Sequence, residues 1–195
     1  MLFLLDFFKI YNIIIIIEKR GKLKMKYLIV VDAQEDFTRG ALRNEEAIAA
    51  IPNIQKLIEK ARANDFYIIA TQDTHHEEKY MTSQEGKNLP VLHCIACTPG
   101  RKICHELTDF DQYIAKSTFG FTKWDVYLTA PEEIWLCGFC TDICVSANFQ
   151  ILKAQFPEVP IKVFADCCAG VTPELHEAAL KVMQSCQAII VKGEM

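Results

Sequence analysis

Short apolar runs alternate with amphipathic segments along most of this chain. Six runs predict β-strands at residues 27–31, 66–71, 112–116, 133–137, 161–165 and 187–191. Three segments with apolar residues every three or four positions predict helices at residues 45–64, 141–155 and 173–185. Most of the runs lack polar alternation, which is typical of strands covered on both faces. The pattern predicts an α/β fold, a three-layer α/β/α domain with a mostly parallel sheet of about six strands.

Residues 1–24 differ from the rest of the chain. They begin with an apolar stretch that Asp6 and Lys9 interrupt, and a basic stretch leads from there to a second methionine, Met25. An uninterrupted membrane helix needs about 20 apolar residues, and a secretory signal carries its basic residues first. We treat residues 1–24 as a doubtful N-terminal extension: an over-extended start site, a membrane-associating tail, or an ordered extra helix or strand. Residues 25–195 are predicted to form one domain.

Composition and charge narrow the classes of function. The chain has 195 residues and a net charge of −4, and no basic stripe is present. These values give no case for nucleic-acid binding. The nine cysteines are odd in number and the chain is not small, which favours free thiols in a reducing compartment over a disulfide scaffold. We expect a cytoplasmic protein that binds neither nucleic acid nor, apart from the doubtful extension, a membrane.

Reactive side chains follow four of the predicted strands. Asp32 comes directly after the first strand, Asp73 and His75 follow the second, Lys116 closes the third, and Cys144 follows the fourth. Ligand sites of open parallel sheets lie beyond the carboxyl ends of the strands, so these side chains are predicted to meet at one edge. Each alone is compatible with an ordinary turn or surface residue. Together, a carboxylate, a lysine and a cysteine form a candidate nucleophilic site, in which the start of a helix favours the thiolate.

Three motifs in this order carry a family resemblance. DAQEDF, KSTFGFT and GFCTDICV resemble the motif regions of the isochorismatase-like cysteine hydrolases, a family that includes the nicotinamidases. The resemblance extends from about residue 26 to residue 191. It implies an amide hydrolase in which Asp32, Lys116 and Cys144 are catalytic. It also implies a cis peptide bond between Phe139 and Cys140 that turns backbone N–H groups toward the oxyanion.

The segment between the second and third strands resembles the metal-binding region of nicotinamidases. Asp73, His75 and His93 match the ligands there, and such a donor set suits Zn²⁺, with Mn²⁺ or Fe²⁺ as alternatives. In nicotinamidases the metal holds the pyridine nitrogen of the substrate. The resemblance therefore implies that nicotinamide is hydrolysed to nicotinate and ammonia through a thioester. Phe37 matches one aromatic wall of the substrate site.

The match to the nicotinamidase pattern is incomplete at the second wall. The chain reads LPVLH where nicotinamidases have W-P-x-H, so it is one residue longer and lacks the tryptophan. Phe119, Phe121 and Trp124 are candidate replacements. Hydrolysis of another small amide or of a ureido compound is therefore an alternative, as is a non-catalytic metal-binding or redox-sensing protein. We further expect a homo-oligomer that acts on a small-molecule amide.

Two cysteine pairs offer a competing interpretation. Cys94 and Cys97, together with Cys137 and Cys140, mimic the pairs of a four-thiolate zinc site. The separation between the two pairs is much longer than in common zinc ribbons. A structural zinc site and a redox disulfide are both alternatives to free thiols at these positions.

Overall fold

The structure, a computed structural model, describes residues 24–193. Its six strands form one parallel sheet in the order β3-β2-β1-β4-β5-β6. They are β1 (Met25–Val31), β2 (Phe66–Asp73), β3 (Gln112–Lys116), β4 (Pro131–Phe139), β5 (Ile161–Ala169) and β6 (Ile189–Val191). The predicted α/β/α architecture is confirmed. Residues 1–23 of the predicted extension lie outside the described residues.

Helices flank the sheet. They are α1 (Glu35–Thr38), α2 (Glu45–Arg62), α3 (Glu77–Tyr80), α4 (Gln84–Asn88), α5 (Trp124–Tyr127), α6 (Ser146–Gln155) and α7 (Pro173–Ser185). A 3₁₀ turn spans Pro99–Arg101, and a π-helical turn, Thr141–Val145, precedes α6. α2 packs against β5, β2 and β4, while α6 and α7 pack against each other. Of the helices within residues 24–193, none has the length and apolar character needed to cross a membrane.

Two of the long helices begin where the sequence supplies caps. The side chain of Asn44 accepts a hydrogen bond from the backbone N–H of Ala47 at 3.0 Å, and Thr172 caps α7 in the same way. Pro173 occupies the first position of α7, where a helix does not need its missing N–H. α7 therefore has the predicted bounds, whereas α2 ends at Arg62 and not at residue 64.

The helix predicted at residues 141–155 differs in its first turn. Thr141–Val145 is a π turn, and only Ser146–Gln155 is α-helical. The N–H of Val145 donates to the carbonyl of Cys140 at 3.0 Å, which gives the turn its width. Single π turns are frequent at functional sites. This one carries Cys144.

The ends of β1 and β4 approach each other closely. β1 is buried from Tyr27 to Val31 and pairs with β2 on one side and β4 on the other. Gly138, near the end of β4, has a φ of +114°, and a Cβ there would lie 2.0 Å from the carbonyl oxygen of Val31. Glycine is therefore required where β4 leads into the π turn.

We expect Gly138→Ala to lower the free energy of unfolding by about 3 kcal/mol or more, because a methyl group overpacks the strand pair and disfavours the positive φ. Urea unfolding measures the loss. Gly193→Ala is the matched control, since Gly193 also has a positive φ, of +70°, but nothing lies within 4 Å of the added Cβ. It should lose about 1 kcal/mol. Equal losses in the two variants would show that the close approach to Val31 is unimportant.

Candidate active site

Asp32, Lys116 and Cys144 meet at the carboxyl edge of the sheet. Asp32 directly follows β1, and Lys116 is the last residue of β3, on the far side of β2. The ammonium Nζ of Lys116 lies 2.6 Å from Asp32 Oδ2 and 3.6 Å from Cys144 Sγ. The side chains of Asp32 and Lys116 are 0% and 1% exposed, and Cys144 is buried as well. The fold thus brings together three side chains that follow separate strands.

Polar groups face both oxygens of the Asp32 carboxylate. Oδ1 accepts a hydrogen bond from the hydroxyl of Thr71 at 2.7 Å. Oδ2 faces the ammonium of Lys116 at 2.6 Å. Lys116 also donates to the carbonyl of Thr118 at 3.1 Å. The carboxylate is therefore held between the hydroxyl of Thr71 and the ammonium of Lys116.

Burial sets the resting protonation of the trio. It raises the pKa of the Cys144 thiol well above the ordinary value, with Asp32 raising it further and Lys116 opposing. Burial also raises the pKa of Asp32, again against the attraction of Lys116. For Lys116, burial alone would lower the pKa, but the carboxylates of Asp32 and Asp73 raise it above the ordinary value. Burial therefore favours the neutral thiol at rest and opposes the thiolate predicted at the helix start. The effect of the helix start stays a prediction.

The chain changes direction sharply just before the cysteine. The peptide bond between Phe139 and Cys140 is cis, at the position that the family resemblance implies. The π turn begins at the next residue, Thr141, so the N–H of Cys144 belongs to the first turn of the helical segment. N–H groups in a first turn have no acceptor within the helix. The arrangement therefore offers backbone donors close to the thiol.

Four potential metal ligands converge beside the trio. Asp73, His75, Glu85 and His93 each offer one atom, and these atoms lie within 4.8 Å of one another. Asp73 Oδ2 is 2.8 Å from His75 Nε2 and 3.7 Å from His93 Nε2. Glu85 Oε1 is 3.5 Å and 3.6 Å from the same two nitrogens. Two carboxylates and two imidazoles are a suitable donor set for Zn²⁺ and for Mn²⁺ or Fe²⁺.

Hydrogen bonds from outside this cluster aim its ligands. His93 Nδ1 lies 2.9 Å from the carbonyl oxygen of Val91, so Nδ1–H donates there and Nε2 faces the cluster. The side-chain amide of Gln34 donates to the carbonyl of Asp73 at 2.9 Å and accepts from its N–H at 2.8 Å. Metal-binding sites commonly fix the orientation of their ligands through such outer contacts.

The charge of the cluster favours a cation. Burial would raise the pKa of Asp73, but hydrogen bonds from His75 and His93 hold it below its ordinary value. Burial would lower the pKa of His93, but hydrogen bonds to Asp73 and Glu85 raise it to about 10. Surroundings that hold a proton on an imidazole also attract metal cations. The residues present therefore fit a divalent metal ion, whose binding would displace the proton from His93.

Sequence reasoning missed Glu85. It lies in α4 and is partly buried, whereas Glu77 and Glu78 in α3 are exposed. All three acids precede His93 in the same stretch, and the sequence does not separate them. The one usable signal was Ser83, whose hydroxyl accepts from the N–H of Gly86 at 2.9 Å and so starts the short helix that carries Glu85.

A largely apolar cavity of about 690 Å³ opens over Cys144 and the ligand cluster. Residues of both groups line it together with apolar side chains: Cys144, Asp73, Glu85, His93, Phe37, Leu42, Phe119, Ile143 and Val171. A volume of this size is typical of small-molecule sites. The nucleophile and the ligand cluster therefore face one common space.

Three phenylalanines line this cavity, Phe37, Phe119 and Phe139. Phe37 is buried and stands edge-on to His93, with ring centroids 6.3 Å apart. Of the three candidate replacements for the missing tryptophan, Phe119 lines the cavity. Trp124 is fully buried in the core, and Phe121 packs against it at 5.0 Å between ring centroids. Phe121 and Trp124 are therefore core residues, which leaves Phe119 as the candidate second wall.

The cysteines of the competing zinc site do not come together. All nine cysteines are free thiols. Cys97 is exposed, while Cys94 and Cys137 are buried. Within residues 24–193, no group of three or more thiols lies at metal-ligand distance. The four-thiolate and redox-disulfide alternatives are therefore not supported, and burial raises the pKa of Cys137 well above its ordinary value, as for an inert core thiol.

Solved structures of several hydrolases resemble this chain. The pyrazinamidase of Pyrococcus horikoshii, solved in complex with zinc, is 29% identical with a TM-score of 0.73, and the match covers 86% of this chain and 98% of that one. The nicotinamidase/pyrazinamidase of Bacillus subtilis is 25% identical with a TM-score of 0.75, over 86% and 99% of the two chains. N-carbamoylsarcosine amidase of Thermoplasma acidophilum, at 20% identity and a TM-score of 0.71 over 88% and 98%, shares the fold.

No curated protein matches this sequence. A family match, in contrast, covers most of the chain. The isochorismatase domain matches residues 26–195, which include every residue of the trio and of the ligand cluster. On this match the chain belongs to the isochorismatase family of hydrolases.

Proposed function

We propose that this protein is a metal-assisted cysteine amidohydrolase and that nicotinamide is its substrate. The observation that carries the proposal is the contact of Lys116 Nζ with both Asp32 Oδ2, at 2.6 Å, and Cys144 Sγ, at 3.6 Å. Cys144 lines a cavity that also reaches Asp73 and His93. Acyl transfer from an amide needs a nucleophile, a base and a positive charge near the reacting atoms, and the Cys144 thiol, Asp32 and Lys116 supply these three.

The trio supplies the proton transfers. Asp32 Oδ2 takes the proton of the Cys144 thiol as sulfur attacks the carboxamide carbon. The protonated Asp32 then gives that proton to the amine nitrogen, the carbon–nitrogen bond breaks, and ammonia leaves a thioester on Cys144. Water, deprotonated by Asp32, cleaves the thioester and releases the acid and the thiol. The raised pKa of Asp32 makes it a stronger base for the first step.

Backbone donors stabilise the negative oxygen that forms during attack. The cis bond between Phe139 and Cys140 and the π turn after it direct the N–H groups of Cys140 and Cys144 toward one point near the thiol in this proposal. One such donor contributes about 3–4 kcal/mol to the stability of a transition state. Lys116, which stays protonated, supports the developing charge from the opposite side.

The ligand cluster positions the substrate. Asp73, His75, Glu85 and His93 would hold the metal, and Glu85 completes the three-residue set that the sequence predicts. When bound, the metal supplies a Lewis acid for the pyridine nitrogen. Phe37 and Phe119 then border the ring. The zinc complex of the similar pyrazinamidase and the nicotinamidase name of the Bacillus subtilis relative support this choice of metal and substrate.

An ammonia-release assay tests the substrate. We expect turnover of nicotinamide and pyrazinamide, and loss of turnover after treatment with a chelator that zinc restores. Simple aliphatic amides and ureido acids serve as comparison substrates. Cleavage of one of these without cleavage of nicotinamide would exclude the nicotinamide assignment and leave the amidase chemistry standing.

We expect Cys144→Ala to lower kcat for ammonia release by at least about a thousandfold, because the nucleophile is removed. Cys97→Ala is the matched control, since Cys97 is an exposed thiol that does not line the cavity. It should keep the wild-type rate. Mass spectrometry of the trapped thioester identifies the acylated residue, and acylation at any other cysteine would contradict the assignment.

We expect Glu85→Gln to raise the Kd for zinc about tenfold to a hundredfold, because one charged ligand is lost. Competition with a chromophoric chelator measures the affinity without any assay of turnover. In the wild type, zinc affinity should fall as the pH decreases below about 10, because zinc competes with the proton on His93. Glu78→Gln, on an exposed acid of α3, is the control. An unchanged Kd in Glu85→Gln would remove Glu85 from the ligand set.

A further inference from the structure

We infer that His176 is a positioning residue for the oxyanion turn, the segment 139–144 that carries the cis bond and the nucleophile. Nδ1 of His176 lies 2.8 Å from the hydroxyl oxygen of Thr141. Thr141 directly follows the cis peptide bond and is fully buried, whereas His176 belongs to α7, in a separate part of the chain. The role assigned to the turn rests on the proposed amidohydrolase function.

A second contact joins the same two parts of the molecule. Asp142 Oδ1 accepts a hydrogen bond from the N–H of Val171 at 2.9 Å. Both residues after the cis bond are therefore held by the segment 171–176. Gly170 permits this approach, because a Cβ at that position would lie 2.9 Å from the N and Cβ atoms of His176. The start of α7 is in this way fastened to the oxyanion turn.

His176 acts through Thr141 and not on the substrate. Neither His176 nor Thr141 is among the described residues that line the cavity, whereas Cys140 and Cys144, on either side of the turn, do line it. The direction of the N–H groups of Cys140 and Cys144 depends on the backbone between them. A hydrogen bond to the side chain of Thr141 restrains that backbone at its first residue.

The surroundings of His176 favour the neutral imidazole. Burial lowers the pKa of His176. The charged groups that face it are Glu177 on its own helix, Lys192 after β6, Asp142 in the turn and Asp166 in β5. Of these, Glu177 is paired with Lys192, with 2.9 Å between Oε1 and Nζ. A neutral imidazole can accept the proton of the Thr141 hydroxyl at Nδ1, which a protonated ring cannot do.

Two substitutions at His176 separate positioning from a general structural role. The amide of an asparagine reaches the place of Nδ1, whereas the longer glutamine places its amide near Nε2. We expect His176→Asn to keep kcat within about twofold, and His176→Gln to lower kcat about tenfold, the effect of one lost hydrogen bond, with KM unchanged. Thr141→Val should lower kcat similarly, and the double variant with His176→Gln should be no slower than either single variant.

A readout that does not need turnover accompanies the kinetics. Hydrogen exchange of the peptide covering residues 139–145, followed by mass spectrometry, should be faster in His176→Gln than in His176→Asn at equal thermal stability. Equal exchange in the two variants, equal kcat, or a change confined to KM would overturn the inference. A wild-type protein that cleaves no amide, with exchange still faster in His176→Gln, would instead reject the proposed function and keep the contact between α7 and the turn.

Discussion

The buried ion pair between Asp32 and Lys116 is the constraint on which the rest of the site depends. Each charge is almost without solvent contact, and their atoms lie 2.6 Å apart. An ionised side chain is stable in such a place only when an opposite charge and hydrogen bonds compensate it. Loss of either partner would leave a buried charge and cost about 3–5 kcal/mol. The pair therefore joins the ends of β1 and β3 across β2, and Thr71 of β2 donates a hydrogen bond to Asp32.

This pair also determines what the cysteine can do. A buried thiol next to a carboxylate keeps its proton, and the pKa of Cys144 is raised accordingly. In the proposed reaction, the thiol transfers its proton to Asp32 during attack, while Lys116 stabilises the negative charge that results. The cysteine does not need to be a thiolate before the substrate arrives. Cys144 contacts Lys116 and lines the cavity, whereas Cys94 and Cys137 are buried and do not line it.

The sequence predicts most of the fold, and the reasons for its errors are physical. Apolar runs identify all six strands, because strands of a parallel sheet covered on both faces are apolar along their length and do not alternate with polar residues. β5 continues past the predicted end at residue 165, since Asp166 points outward from a strand whose next residues, Cys167 and Cys168, are buried again. The short helices α3 and α4 were not predicted, because four or five residues are too few to show a helical period.

For the site, strand ends place several of the residues named from the sequence, whereas the positions of Glu85 and Phe119 depend on how segments beyond the sheet pack. Asp32, Asp73 and Lys116 are fixed by strand ends, so topology alone places them together. Glu85 reaches the cluster only because α3 and α4 fold back over it, which local sequence does not encode. The absence of the tryptophan is visible in the sequence. Phe119 lines the cavity and Trp124 is buried because of how the connection between β3 and α5 packs, which the sequence does not show.

Asp73 belongs to the ligand cluster and also lies close to Lys116 of the trio, which limits what a substitution at Asp73 can reveal. Asp73 Oδ1 lies 3.7 Å from Lys116 Nζ, while Asp73 Oδ2 lies 2.8 Å from His75 Nε2. Removal of this carboxylate would weaken the cluster and, at the same time, change the charge around Lys116, whose pKa Asp73 helps to raise. A loss of activity in an Asp73 variant therefore does not distinguish metal binding from proton transfer. Glu85, on α4, lies close to the imidazoles of His75 and His93. A substitution at Glu85 therefore alters the ligand cluster and leaves the ion pair between Asp32 and Lys116 intact.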